Sequence, residues 1–414
     1  MIITDFEVHE IHPPLRAWNR EVHKLYQGAT WDARTIIVLH TDNGLEGLGE
    51  ITSALSESHR QELEQLRGTN PCRWLHSQLS IGLAPAIYDL VGKANEVPAY
   101  QLLGPKVRSW VPVSSWTVSQ TPERMAEEVR QAIAQGHTWI KYHVQHHHFH
   151  NIIDQTRAMQ EAATRGFKVH YDVNSDSTAD HIADIARELS QFPVAGLIED
   201  PLRTFDFENY RTLRHKCALP IIFHHLPLGG REALMGLADG YMLGHAPVGD
   251  VLRRAGLFEA ANVPFMMQNV GGDITRALVV HMAAALERAT LHHVTCTNLW
   301  EEDVVTTPFE VVAGQVQVPE EPGLGLTLDR EALARLTAAS PAPTPKALAR
   351  VRVERGPTLY VRPPLARNPH LNPGVLAGIG EGYDRLVDQD FWYDDGSGRF
   401  AELWEQTAAG PVVE

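Results

Sequence analysis

From Met1 to His9 apolar and polar side chains alternate, the period of a half-buried strand, and the pattern stays strand-like to about Ile51. The run from Thr35 to His40 breaks at Asp42-Asn43-Gly44 and resumes from Leu45 to Glu50. Asn-Gly between two such runs predicts a hairpin. Gly47 and Gly49 lack the helix start and the spacing of a phosphate-cradling loop, so they predict close packing on the sheet. Residues 56–104 read as helices, among them 84–93, and stop at Leu103-Gly104-Pro105. Beyond that point short apolar runs (139–144, 169–173, 196–198, 221–223, 241–243) alternate with helical stretches such as 121–135 and 179–191. Strand, helix, parallel strand is the repeating unit this predicts.

Successive strand ends lie roughly 20 to 30 residues apart, and enough units follow to close an eight-stranded barrel by about Trp300. An open doubly wound sheet has the same local texture. The polar residues favour the barrel: Lys141 and His143, Asp172 and Asn174, Glu199, His224 and His225, and His245 all fall at C-terminal strand ends, which in a barrel converge on one face. The fold class expected is α/β, a modified TIM (β/α) barrel with an α+β N-terminal capping domain and a C-terminal extension. Residues 1–110 form the cap, 111–320 the barrel, 321–340 a return segment of the cap and 341–414 the extension.

Composition narrows the function classes. With 414 residues, 43% of them apolar, the chain can bury a large core. A formal net charge of -15 disfavours nucleic acid and anionic membrane surfaces as partners. The three cysteines, Cys72, Cys217 and Cys296, are far apart and form no C-x-x-C pair, which fits a reducing cytoplasm. No stretch approaches the ~20 apolar residues of a membrane span.

Several segments resemble the mandelate racemase and muconate lactonizing branch of the enolase superfamily. Asp42–Glu50 is similar to that branch's capping hairpin, Ala86–Gly104 to its signature helix leading into the barrel, and Pro322–Leu326 to the return strand that completes the cap. The resemblance implies that a base removes the proton next to a carboxylate while a divalent metal stabilises the enediolate. Asp172, in Tyr-Asp-Val-Asn, and Glu199, in Leu-Ile-Glu-Asp-Pro, match the first two metal ligands, where a hard cation such as Mg²⁺ would sit. Asp200, next to Pro201, reads instead as a turn residue. Resemblance also implies a homo-oligomer, dimeric or octameric.

The chain departs from that pattern at three places. The third ligand, normally acidic, is replaced at His224-His225, and a nitrogen ligand there would favour Mn²⁺, Fe²⁺ or Zn²⁺; a structural histidine without metal is the alternative. The family's Lys-x-Lys appears as Lys141-Tyr142-His143, where His143 can serve as base or position the substrate. Gln268 stands where the racemases carry a histidine, and glutamine cannot move a proton. His245 ends the sixth strand. The run His146–His150 reads as an exposed loop above the site, with adventitious metal affinity.

The leading expectation is a metal-dependent lyase acting on a small-molecule carboxylate, a sugar-acid dehydratase. Lys141, His143 and His245 are its catalytic candidates, Asn174 and Gln268 its substrate-binding ones, and Asp172, Glu199, His224 and His225 its metal ligands. A non-catalytic relative that binds a ligand or protein is the alternative, since fold alone never establishes activity. A racemase or epimerase ranks below both, because no lysine appears between Tyr241 and Val248. Arg16, Trp18, Arg20, His23 and Lys24 of the cap are candidates to meet an anionic ligand. Pro341–Pro345 reads as a stiff linker, and the segments around Arg362, 368–373 and Phe391–Tyr393 are apolar enough to pack on the barrel or on a neighbouring subunit.

Overall fold

The structure, a computed structural model, describes residues 1–27, 31–144, 152–174, 177–202, 206–225, 230–353, 355–364 and 387–414. The histidine run 146–150 and the segment 368–373 lie outside the described residues.

The cap comprises β1 (Ile3–Ile11), α1 (Arg20–Gln27), β2 (Arg34–Thr41), β3 (Glu46–Ile51), α2 (Glu57–Leu66) and α3 (Ala84–Ala94). Its three strands form an antiparallel sheet in chain order. The β2–β3 hairpin turns where Asn43-Gly44 predicted, with Gly44 at φ +81°. Helix α3 presses on β3 so closely that a Cβ on Gly47 would lie 2.3 Å from the Ala86 carbonyl oxygen and 2.6 Å from Leu90 Cγ. The glycines of this strand are there for packing.

The barrel follows as β4 (Trp110–Val118), α4 (Pro122–Ala134), β5 (Trp139–His143), α5 (Ile152–Ala162), β6 (Lys168–Asp172), α6 (Ala179–Leu189) and β7 (Ala195–Glu199). It continues through α7 (Phe207–Lys216), β8 (Ile221–Phe223), α8 (Arg231–Leu234), β9 (Gly240–Gly244), α9 (Val248–Ala260), β10 (Phe265–Gln268), α10 (Asp273–Ala285) and β11 (His293–Val294). All eight strands run parallel, and β11 pairs back onto β4. That closure is short: His293 and Val294 meet Val113 and Ser114, and only Val294 meets β10. Strand β12 (Gln315–Gln317) then adds to β4 antiparallel. The barrel interior is packed with Trp116, Leu197, Ile222, Met242, Met266 and Val294.

Residues 322–326 do not form the strand expected of a return segment. Gly323 and Gly325 take φ of +73° and +71°, which interrupts an extended run, and the segment pairs with the cap as a bridge, the Gly323 amide donating to the Val97 carbonyl and the Ala99 amide to the Gly323 carbonyl. Asp89 of α3 accepts from the Leu324 amide at 3.0 Å and so anchors it. Helix α11 (Arg330–Ala338) closes this part of the chain against β1, where the His12 amide donates to the Leu336 carbonyl.

The extension has its own antiparallel sheet, built from β13 (Ala347–Val353), β14 (Thr358–Val361), β15 (Val387–Tyr393) and, after α12 (Gly398–Gln406), β16 (Val412–Val413), in the order β15-β13-β14-β16. Alternation divides its faces. Leu348 packs on Phe400 and Leu403 of α12, whereas Ala349, Val351, Leu359 and Val361 pack with Tyr26 of α1, Leu15, Trp31 and Trp116. The extension therefore lies over the cap helix at the barrel mouth.

Candidate functional site

Register places the chemistry in one row. His143 pairs with Asp172, and Asp172 with Glu199, so the last residues of β5, β6 and β7 stand side by side at the C-terminal rim. Lys141 and His170 lie two residues lower on β5 and β6 and share that inward face. The Lys141 side chain is fully buried and reaches up the axis, its Nζ 2.9 Å from Asp172 Oδ2, 2.8 Å from Glu199 Oε2 and 2.6 Å from Gln268 Oε1. Burial alone would lower the ammonium's pKa, but the two carboxylates outweigh it and raise it. Burial acts to raise Asp172 and Glu199, and the neighbouring Glu199 charge raises Asp172 further, yet Lys141 and the surrounding imidazoles bring both below the usual carboxylate range.

Around this centre stand the histidines. His143 Nε2 is 3.0 Å from Asp172 Oδ2, and its Nδ1 is 3.1 Å from the Tyr26 hydroxyl. His170 Nε2 is 2.6 Å from Glu199 Oε2, and its Nδ1 meets His292 at 3.0 Å. His224 Nδ1 is 2.7 Å from Glu199 Oε1. Its ring fills the space beside Gly244, where a Cβ would sit 2.0 Å from His224 Nε2, so no side chain fits at the end of β9. His225 is turned outward, with Nδ1 on Asp200 Oδ2 at 2.9 Å and its side chain 55% exposed. Burial opposes the charged form of His225, but the bond to Asp200 and the carboxylates beyond it raise its pKa.

The structure thus gathers Lys141, His143, Asp172, Glu199, His224 and Gln268. Asn174 contributes its backbone amide, which donates to Asp172 Oδ1 at 3.0 Å. Asp200 is fully buried and accepts from the amides of His224 and His225, so it shapes the loop after β8. His245 stands apart. It lines a cavity of about 440 Å³ between cap and barrel with Glu50, His59, Asn269 and Thr275; the residue stays exposed, and the surrounding protein together with His224 and His225 lowers its pKa.

Of the cap candidates, His23 is buried and stacked 5.6 Å from Trp116, Lys24 is bonded to Asp32, and Arg16 and Arg20 donate to the carbonyls of Asn298 and Leu15. These four build the cap and do not converge on the carboxylates. Sequence reasoning missed Tyr26, His170 and His292. The signal for His170 was present, two residues before Asp172 on the same strand face.

The donor set fits a divalent cation. Two carboxylates and an imidazole come from three successive strand ends; the ligand atoms that lie within 4.8 Å of one another belong to Glu199, Asp200, His224 and His225, with Asp172 outside that group. Asp172 Oδ2 and Glu199 Oε2 are buried beside each other and already hold one cation, the Lys141 ammonium, at 2.9 and 2.8 Å. Such oxygens suit a cation.

Comparison with known proteins bears on the family and the fold. The family described as enolase C-terminal domain-like matches residues 124–332. A D-gluconate dehydratase from Thermoproteus tenax is 25% identical over 311 residues, which cover 70% of this chain and 61% of that protein. A D-xylonate dehydratase from Haloferax volcanii is 27% identical over 279 residues, 61% of this chain and 68% of that one. The crystal structure described as a mandelate racemase/muconate lactonizing enzyme from Roseovarius nubinhibens ISM, complexed with magnesium, shares the fold. Its TM-score is 0.62 at 23% identity, covering 80% of this chain and 98% of that one.

Proposed function

Because the chain belongs to the enolase superfamily, through the enolase C-terminal domain-like family that matches half of it, we propose that it is a metal-dependent carbon–oxygen lyase that dehydrates a sugar acid. The observation that carries this reading is the row His143–Asp172–Glu199 with His224 beside it at the barrel mouth. Asp172, Glu199 and His224 would hold the ion, with Mg²⁺ or, given the imidazole, Mn²⁺, Fe²⁺ or Zn²⁺ as candidates. When bound, the ion supplies positive charge against the substrate carboxylate.

The rest falls to the chain's own side chains. His143 takes the α-proton on Nε2, the nitrogen beside Asp172. In that role its other nitrogen, Nδ1, would carry the proton and donate to the Tyr26 oxygen 3.1 Å away, which holds the ring. The positive charge that His143 acquires is met by Asp172. Lys141, held protonated between two carboxylates, stabilises negative charge and is not the base. His225, exposed at the mouth and hydrogen-bonded through Nδ1 to Asp200, delivers a proton from Nε2 to the departing hydroxyl, so that water leaves. Gln268 orients Lys141. The absence of any side chain at Gly244 argues against a second lysine facing the first, and so against the epimerase reading.

The test is turnover of a panel of aldonic acids with Mg²⁺ or Mn²⁺, followed as the 2-keto product. Dehydration of one of them should fall by about 10²–10⁴ in kcat for His143→Ala. Absence of turnover on the panel, together with no divalent ion bound by the wild-type protein, would establish the non-catalytic alternative.

A further inference from the structure

A cavity of about 420 Å³ opens where three parts of the chain meet: the cap around α1, the end of β4 with the start of α4, and strand β15 of the extension. That volume is in the range of small-ligand sites, roughly 300–1,000 Å³. Phe391 and Tyr393 alternate with Trp392 on β15, so both face the cavity while Trp392 packs on Phe400. Trp18 forms a third aromatic wall. Its indole nitrogen donates to buried Glu128 at 3.3 Å, and Arg16 stacks on its ring at 5.5 Å, so the wall is fixed before any ligand arrives. Between the aromatic faces lie Glu21, Arg124 and Gln120. The Asp390 carboxylate is taken up by Arg350 and Arg352 and does not add to this set.

The chemistry follows from that lining. One carboxylate and one guanidinium leave the cavity close to neutral, which suits neither an anion nor a cation. Three aromatic faces with hydrogen-bonding groups at their edges suit a ring whose faces are C–H and whose rim is hydroxyl. The cavity is also next to the proposed base. Val22 lines it, and Tyr26, one turn further along α1, holds His143. Ser119 lines it too, and its amide donates to the His143 carbonyl at 3.0 Å.

We propose that this cavity is a subsite for a neutral sugar ring, carried by the acid substrate beyond its reacting carbons, and that the extension is therefore a specificity element. This rests on the sugar-acid reading, and it makes the substrate a glycosylated sugar acid. Isothermal titration of the full chain with Mg²⁺ present tests it with three probes: gluconate, cellobionate (the same acid bearing a glucosyl ring) and cellobiose. Wild-type protein should bind cellobionate about tenfold or more tighter than gluconate. Tyr393→Ala and, independently, Trp18→Ala should bring that ratio towards one; Tyr393 is 44% exposed, so its truncation leaves the core intact. Equal affinity for the two acids in the wild type, or a ratio unchanged by both substitutions, overturns the proposal. If neither acid binds but cellobiose does, with a loss in Tyr393→Ala, the subsite stands and the acid reading falls. No binding of any of the three overturns the subsite as well.

Discussion

Lys141 is a permanent cation placed between two buried anions, and its removal is informative in a way that removal of a ligand is not. In Lys141→Met the stem volume is kept while Asp172 and Glu199 face each other without compensation. Breaking such a pair costs about 3–5 kcal/mol, so denaturant unfolding in EDTA should show a loss of that size, and Mn²⁺ or Mg²⁺ should restore part of it. An unchanged midpoint would mean that the carboxylates are neutralised by their histidines. At this scale much of the site was legible. Lys141 and His143 are two residues apart on one strand, and Asp172 and Glu199 end the next two, so a barrel brings them together without further information. Which of His224 and His225 faces inward was not legible, because it depends on Gly244 leaving room for one ring. Tyr26 was hidden for a different reason: it reaches His143 from a cap helix more than a hundred positions away in the chain.

Among the elements, β3 and α3 illustrate how a sequence signal becomes a packing constraint. Gly47→Ala would drive a methyl group into the Ala86 carbonyl and the Leu90 side chain, and backbone on one side of that contact leaves little room to yield. Overpacking of this kind costs typically 1–3 kcal/mol, so the variant should show a lower midpoint in denaturant; a midpoint within error of the wild type would mean that α3 shifts freely. The hairpin and the barrel units were readable because turn residues and strand periods are local. The segment 322–326 was not. Its apolar residues suggest a strand, but two glycines in the left-handed region bend it onto α3, where the Asp89 carboxylate and the backbone of Val97 and Ala99 hold it. The extension was equally opaque, since the alternation that gives its sheet two faces says nothing of which faces the cap.

For the molecule as a whole, cap and barrel are fastened by ions. Arg34 of β2 bonds Glu50 of β3 at 2.7 Å and Asp303 at 3.2 Å, and Glu50 in turn accepts from the amides of Gly272 and Thr275 at the start of α10. Asp273 sits within this network, and burial pushes its pKa up to about 6 despite nearby Arg276. The folded chain therefore binds more protons than the unfolded chain between about pH 4 and 6, and this carboxyl's contribution to stability falls as pH rises through that window. The unfolding free energy of wild type relative to Asp273→Asn should drop by on the order of 2–3 kcal/mol from pH 4 to 7. A rise instead would mean that Arg276 dominates. The barrel is bound far less evenly than the cap. Seven strand-to-strand joints share the ring with one closure made by two residues of β11, and β10 grips that strand at a single position. Pulled apart mechanically, a hoop yields at its thinnest link, so under tension the cylinder should part where β10 meets β11 at one position and unroll as a ribbon, before any carboxylate at its rim is disturbed.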